Sequence, residues 1–152
     1  MAEYVFNPVQ AVSLNQAAVF DDSIPCKRGY VFHENESGIF ILRGIVNNCG
    51  GFARYQVTYN GNIAIPEGGE TVVPIAVALA VNGETRPTSR SIITPAAVDE
   101  YWKVSGTAII DVPKGCCFSV SLRHVPASED PTVTPAPVIN IQNSSLVVSR
   151  IA

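Results

Sequence analysis

The sequence predicts an all-β chain folded as a compact jelly-roll sandwich of about ten short strands. Three observations predict it. Strand-length apolar runs recur along the chain, with turn signals about every 8–12 residues. No segment carries the 3.6-residue periodicity of a long helix. The chain finishes on Leu146-Val147-Val148-Ser149-Arg150-Ile151, an apolar β-branched strand that needs cover from elsewhere.

Residues 1–8 are expected to be an N-terminal arm, flexible or anchoring, ahead of a single domain over residues 9–152. Residues 9–14 and 17–20 read as short strands around Asn15-Gln16, and 30–33 as a third. Glu34-Asn35-Glu36-Ser37-Gly38 makes a turn before a strand over 39–46, and Asn47-Asn48-Cys49-Gly50-Gly51 is the next loop. Residues 54–59 alternate, with Tyr55, Val57 and Tyr59 on one face. Asn60-Gly61 is expected to turn as a hairpin, since both residues tolerate positive φ, and to lead into 63–65. Pro66-Glu67-Gly68-Gly69-Glu70 breaks that strand. Residues 72–81, the most apolar segment, predict a central strand closed at Asn82-Gly83-Glu84. Another strand is expected over 90–94, then one helical turn over 95–102 with Thr94 as N-cap. Strands over 104–112 and 117–123 flank Pro113-Lys114-Gly115, and four prolines make 125–137 a loop or bridging arm. Residues 138–141 and 146–151 then close the chain around a polar turn.

At 152 residues the chain is one domain with room for a sizeable core. Hydrophobic residues make up 47% and charged residues 15%, where soluble domains average about 25% charged. Either the surface is rich in uncharged Ser, Thr and Asn, or part of it is buried against copies of the chain or a partner. The net charge of −3, with Lys27-Arg28 the only adjacent basic pair, offers no stripe to neutralise phosphates. The longest apolar run, residues 75–81, falls far short of the ~18 residues of a membrane span. Met1-Ala2-Glu3-Tyr4 has no basic region followed by an apolar stretch, so cytoplasmic synthesis without a secretory signal is expected.

Catalytic and metal patterns are absent from the sequence. Cys26, Cys49, Cys116 and Cys117 form no Cys-x-x-Cys pair. They stand as partly buried small hydrophobes, as a Cys26–Cys49 disulfide formed after release, or as a metal cluster. An adjacent Cys116–Cys117 disulfide would be strained. His33 and His124 lie in no nucleophile–base motif, and His124 at a strand end is expected to be solvated or at an interface. Glu34, Glu36, Asp99, Glu100, Glu129 and Asp130 sit in turns, with no Asp-x-Asp-x-Asp-Gly loop for calcium. Asn35-Glu36-Ser37 and Asn143-Ser144-Ser145 match the glycosylation pattern but read as turn chemistry. The lone tryptophan, Trp102, is expected at a loop–core boundary, with a glycan-stacking platform as the other reading.

The ending Val138-Ile139-Asn140-Ile141-Gln142-Asn143-Ser144-Ser145-Leu146-Val147-Val148 resembles the closing hairpin of compact trimeric jelly rolls. That superfamily includes tumour necrosis factor, the complement globular heads and collagen-like spore-surface glycoproteins. Gly38-Ile39-Phe40-Ile41-Leu42-Arg43-Gly44, the hairpin expected over 55–66, Ala76-Val77-Ala78-Leu79-Ala80-Val81-Asn82-Gly83-Glu84 and Val112-Pro113-Lys114-Gly115 stand where its inner strands and turns belong. The whole chain is also similar to small head-fiber or capsid-decoration proteins of phage-derived gene clusters in gut bacteria. The resemblance implies a homotrimer with the last strand at the three-fold axis, so that Leu146, Val148 and Ile151 form the interface. Gly-X-Y triplets of a collagen stalk are missing, which suits direct docking on a capsid.

Three functions follow as expectations. The first is a non-enzymatic structural virion protein on a phage head, with no cofactor, made in the host bacterial cytoplasm. Its partners are itself and the major capsid protein or another virion protein. The second is a trimeric adhesin or receptor-binding knob for bacterial surface glycans. The third, a cupin-type enzyme, needs a His/Glu metal site from a chain with only two histidines.

Overall fold

The computed structural model describes residues 1–26, 28–47, 49–68, 72–132 and 134–152. Lys27 of the basic pair, Asn48, Gly69 and Glu70 of the expected loops, and Val133 of the proline-rich segment lie outside the described residues. Among the described residues, 12 strands form two antiparallel sheets packed as a sandwich. Sheet one runs β10 (Trp102–Pro113), β6 (Phe52–Ala64), β12 (Val138–Arg150), β1 (Ala2–Phe6), β3 (Asp21–Ile24), and β2 (Gln10–Ser13) also pairs β12. Sheet two runs β4 (Val31–His33), β5 (Phe40–Arg43), β11 (Cys117–Val125), β7 (Ile75–Val81), β8 (Glu84–Thr85), and β9 (Ser91–Ile93) also pairs β7. The all-β jelly roll expected from the sequence is the fold observed.

Several element boundaries differ, mostly because a polar residue inside a long strand reads as a turn. Asn60-Gly61 does not turn. β6 runs through it, pairing Asn60 with Ser105 on β10 and with Ser145 on β12. Glycine serves space here: a Cβ on Gly61 would stand 3.2 Å from the Ser144 Cβ. The closing hairpin is likewise one strand, β12, with a bulge between Gln142 and Ser145. Asn143 takes φ 51° there, and the Ser144 hydroxyl donates to the Phe6 carbonyl at 3.2 Å. The helical turn expected after Thr94 is a non-helical turn with Asp99 at φ 59°, and the short 3-10 helix is at Pro87–Ser89. Residues 17–20 make isolated bridges, Ala17 to Arg123 and Phe20 to Ser37, instead of a strand.

The expected arm over residues 1–8 is corrected too. Ala2–Phe6 is a strand of sheet one, paired on one side with β12 and on the other with β3. Ala2 and Tyr4 are buried while Glu3 and Val5 face outward, the alternation of a half-buried strand. Burying Tyr4 in the core outweighs leaving the segment free, because an aromatic side chain contributes about 1.5–3 kcal/mol when removed from water.

The two sheets meet over Phe40, Leu42, Tyr55, Tyr59, Leu79 and Leu122, all at most 2% exposed. Tyr59 ties them: its hydroxyl donates to the Ser89 carbonyl at 2.6 Å. Burial first of all pushes its pKa up, so the donor is retained. Gly106 on β10 makes room for that ring, since a Cβ there would lie 2.7 Å from Tyr59 Cε1 and 2.6 Å from the Ser89 oxygen. Gly106→Ala should therefore cost about 1–3 kcal/mol by overpacking. An unchanged urea midpoint for that variant would mean the Tyr59 ring is not so confined.

His124 is buried, not solvated or at an interface. It faces inward on β11, and its Nδ1–H donates to the Val12 carbonyl at 3.0 Å. Burial holds its pKa below the ordinary 6.5, so the folded chain keeps it neutral. The unfolded chain then binds the proton more readily, and this contribution is complete above pH 6.5 and is lost as pH falls below it. Wild-type stability should fall between pH 7 and 5 more steeply than that of His124→Gln. Parallel pH profiles in urea would refute the assignment.

Candidate self-association face

β10, β6 and β12 are long and adjacent, and their alternate residues point away from the core onto one broad face. Register fixes the rows. Thr107, Thr58, Val147 and Glu3 lie side by side across four strands. Ser105, Asn60, Ser145 and Val5 form the row on one side, and Ile109, Gln56 and Ser149 the row on the other. Hydroxyls and amides on this face bond one another: Thr58 Oγ1 to Thr107 Oγ1 at 3.1 Å, and Asn60 Nδ2 to Ser145 Oγ at 2.7 Å. Such cross-strand pairs add stability to the outer surface of the sheet.

Charge is confined to the margin. Arg54 and Asp111 close one end with a bidentate pair, 2.7 and 2.9 Å. The hydrogen bond from Arg54 holds the Asp111 carboxyl below the usual range, and both side chains are solvated. Lys103 stands opposite Asn62 at the other end. Between them the three rows carry Glu3 as their one charged side chain, and Ile109 is 48% exposed. The low charge content of the chain is concentrated here.

Sheet two is covered differently. Its outward-facing Ala76 and Ala78 on β7 are buried against Val125 and Ala127, where the proline-rich segment begins. The chain thus covers part of sheet two with its own residues and leaves the centre of sheet one open.

The expected interface residues divide. Leu146 and Val148 are 0% and 2% exposed and point into the sandwich, Leu146 opposite Tyr4 and Tyr59, Val148 opposite Ala2 and Val57. They are core residues, out of reach of a neighbouring chain. Ile151 lies just beyond β12 and is 49% exposed, apart from both. The outward residues of the same strand are Ser145, Val147 and Ser149. Sequence reasoning missed them because both faces of β12 hold apolar residues. The usable signal was the missing charge at alternate positions of 56–62, 105–109 and 145–149.

Chemical groups elsewhere are closed off or scattered. His33, its side chain 1% exposed, looks like part of a nucleophile–base set, with Asp22 Oδ1 2.7 Å from Nδ1. Its Nε2, however, lies 2.8 Å from the Ser37 carbonyl, so no ring nitrogen is left to activate a nucleophile. The ring stacks on Phe40 at 4.3 Å and ties the edge strands β3 and β4 together. All four cysteines are free, with Cys26 partly buried and Cys49, Cys116 and Cys117 exposed. The small-hydrophobe reading therefore fits Cys26 alone. Among the described residues no three His, Cys, Asp or Glu side chains converge on a metal-sized space. Trp102 is 50% exposed, its indole N–H donating to Glu100 at 2.8 Å.

No protein-family model matches the sequence, and no curated protein does. Among solved structures, the globular domain of the zebrafish complement 1qA protein superposes with a TM-score of 0.56 at 12% identity, covering 100% of this chain and 98% of that one. The fold is the jelly roll of the complement globular domain. The C-terminal domain of EclA, a sugar-binding protein, gives 0.42 at 14% identity over 95% of this chain and 79% of its own. Pika GITRL gives 0.43 at 9% identity, with 100% of both chains covered. The fold assignment rests on the first of these, and at 12% identity it is a likeness of architecture.

Proposed function

We propose that the chain is a non-enzymatic assembly domain, a homotrimer packed through the outer face of sheet one, serving as a head-fiber or capsid-decoration protein of a phage. The observation that carries the reading is that face: three rows of Ser, Thr, Asn, Gln, Val and Ile with Glu3 as the one charged side chain, on a jelly roll of the complement type. Interface cores are depleted in charge, and a closed three-fold ring hides such a face without leaving an open edge. The trimer and the virion setting rest on the sequence resemblance to trimeric jelly rolls and phage head proteins. The work of such a protein is multivalent binding, three copies engaging a lattice that repeats the same site. An antibody against the purified chain should label phage heads in lysates of the bacterium that carries the gene. Heads that carry none of the protein would remove the virion reading.

Half-exposed Trp102 favours one second reading, a glycan-binding knob, because a planar ring can stack on a sugar face. Glycan-array binding that is lost in Trp102→Ala would select it. No binding, or binding indifferent to that change, would remove it.

A further inference from the structure

A cleft of about 620 Å³ opens at one end of the sandwich, lined in part by Ile24, Cys26, Arg28, Tyr30 and Arg150. Its chemistry is not that of a core. The Arg150 guanidinium lies over the Tyr30 ring at 4.4 Å. Among the described residues, neither Arg150 nor Arg28 is paired with an acidic side chain. Arg150 Nη1 is also buried without a hydrogen-bond partner. Arg150 Nε donates to the Ala152 oxygen at 3.2 Å, so Nη1 of Arg150 and the exposed Arg28 are the groups that, over an aromatic floor, favour an anion.

Cys26 lies in the same cleft. The chain turns through Gly29, φ 72°, and backbone N–H groups of Val31, Arg28 and Tyr30 reach back to its sulfur. Partial burial pushes the thiol pKa up, but the three N–H groups together with the positive N-terminus at Met1 outweigh it and leave the thiol below its ordinary value. The cleft thus joins a thiolate cradle to a cationic binding surface.

We propose that this cleft is a thiol-modification site that takes small anionic disulfides of the glutathione type and holds one half of them on Cys26. The Cys26 thiolate attacks one sulfur of the bound disulfide, and the new S–S bond forms as the old one breaks. The leaving thiolate carries away the electron pair and takes a proton from water. Cys26 is oxidised to a mixed disulfide, and the small disulfide is the oxidant. The carboxylates of the incoming molecule lie against Arg28 and Arg150, and Arg28 is exposed enough to meet them first. The thiol is thereby capped and withheld from pairing with other chains.

Accessibility alone predicts the reverse order of reaction, since Cys49, Cys116 and Cys117 are more exposed than Cys26. The reduced protein is treated with limiting glutathione disulfide, quenched in acid, and each thiol read by peptide mass spectrometry. Neutral hydroxyethyl disulfide and cationic cystamine serve as comparison probes. Cys26 should be modified several-fold faster than any other cysteine, with the anionic probe ahead of the neutral and the cationic last. Arg28→Gln should flatten that order without changing the melting temperature. Preferential reaction at Cys49, Cys116 or Cys117, or a Cys26 rate indifferent to probe charge, would overturn the proposal. The probe series needs no variant, so a misfolded mutant leaves the test intact.

Discussion

Leu146→Asp is expected to unfold the chain, leaving it insoluble or without a cooperative thermal transition. Leu146 is fully buried between Tyr4 of β1 and Tyr59 of β6, so truncation alone costs about 2–5 kcal/mol. A carboxylate placed there has no cation within the sandwich, and its desolvation adds several kcal/mol more. Against a typical total of about 5–15 kcal/mol, little stability remains. Circular dichroism and a urea titration read the result. A folded variant with a native midpoint would mean that Leu146 points out of the sandwich.

Val147→Asp is expected to do the opposite: the chain folds and the assembly falls apart. Val147 is the next residue, but it points outward in the central row with Thr58 and Thr107. In the single chain an aspartate there stands opposite Glu3 on a half-buried surface and costs on the order of 1 kcal/mol, which leaves the chain folded. In an assembly built on this face it places a carboxylate from each copy in a contact that is nearly free of charge and holds no cation. Gel filtration should show one chain that still melts cooperatively. Thr58→Asp, on the neighbouring strand, should give the same result. If both variants keep the wild-type mass, the contact between copies lies elsewhere.

These adjacent residues mark where the sequence stops being informative. Alternation shows that 54–59 and 146–149 have two faces, and Tyr55, Val57 and Tyr59 name the buried one correctly. On β12 the two faces carry Leu146 and Val148 on one side and Val147 on the other, all apolar. Composition cannot choose between them, and only the register with Tyr4 and Tyr59 decides. Local turn chemistry misleads in the same way at Asn60-Gly61 and Asn143-Ser144. There a glycine serves close strand approach, and an asparagine at positive φ serves a bulge. Asn82-Gly83 has the same composition and does turn, with φ of 53° and 85°, because no strand continues to pair across it. The first strand was missed for want of its partners: Ala2 to Phe6 is short, and its pairing with β3 and with β12, far away in sequence, makes it a strand.

The open, nearly charge-free face of sheet one is the centre of the account, and native mass tests it most directly. Light scattering on the gel-filtered wild-type protein should give three times the mass of the chain. A monodisperse single chain at micromolar concentration would contradict the account, leaving an all-β domain whose open face meets some other partner.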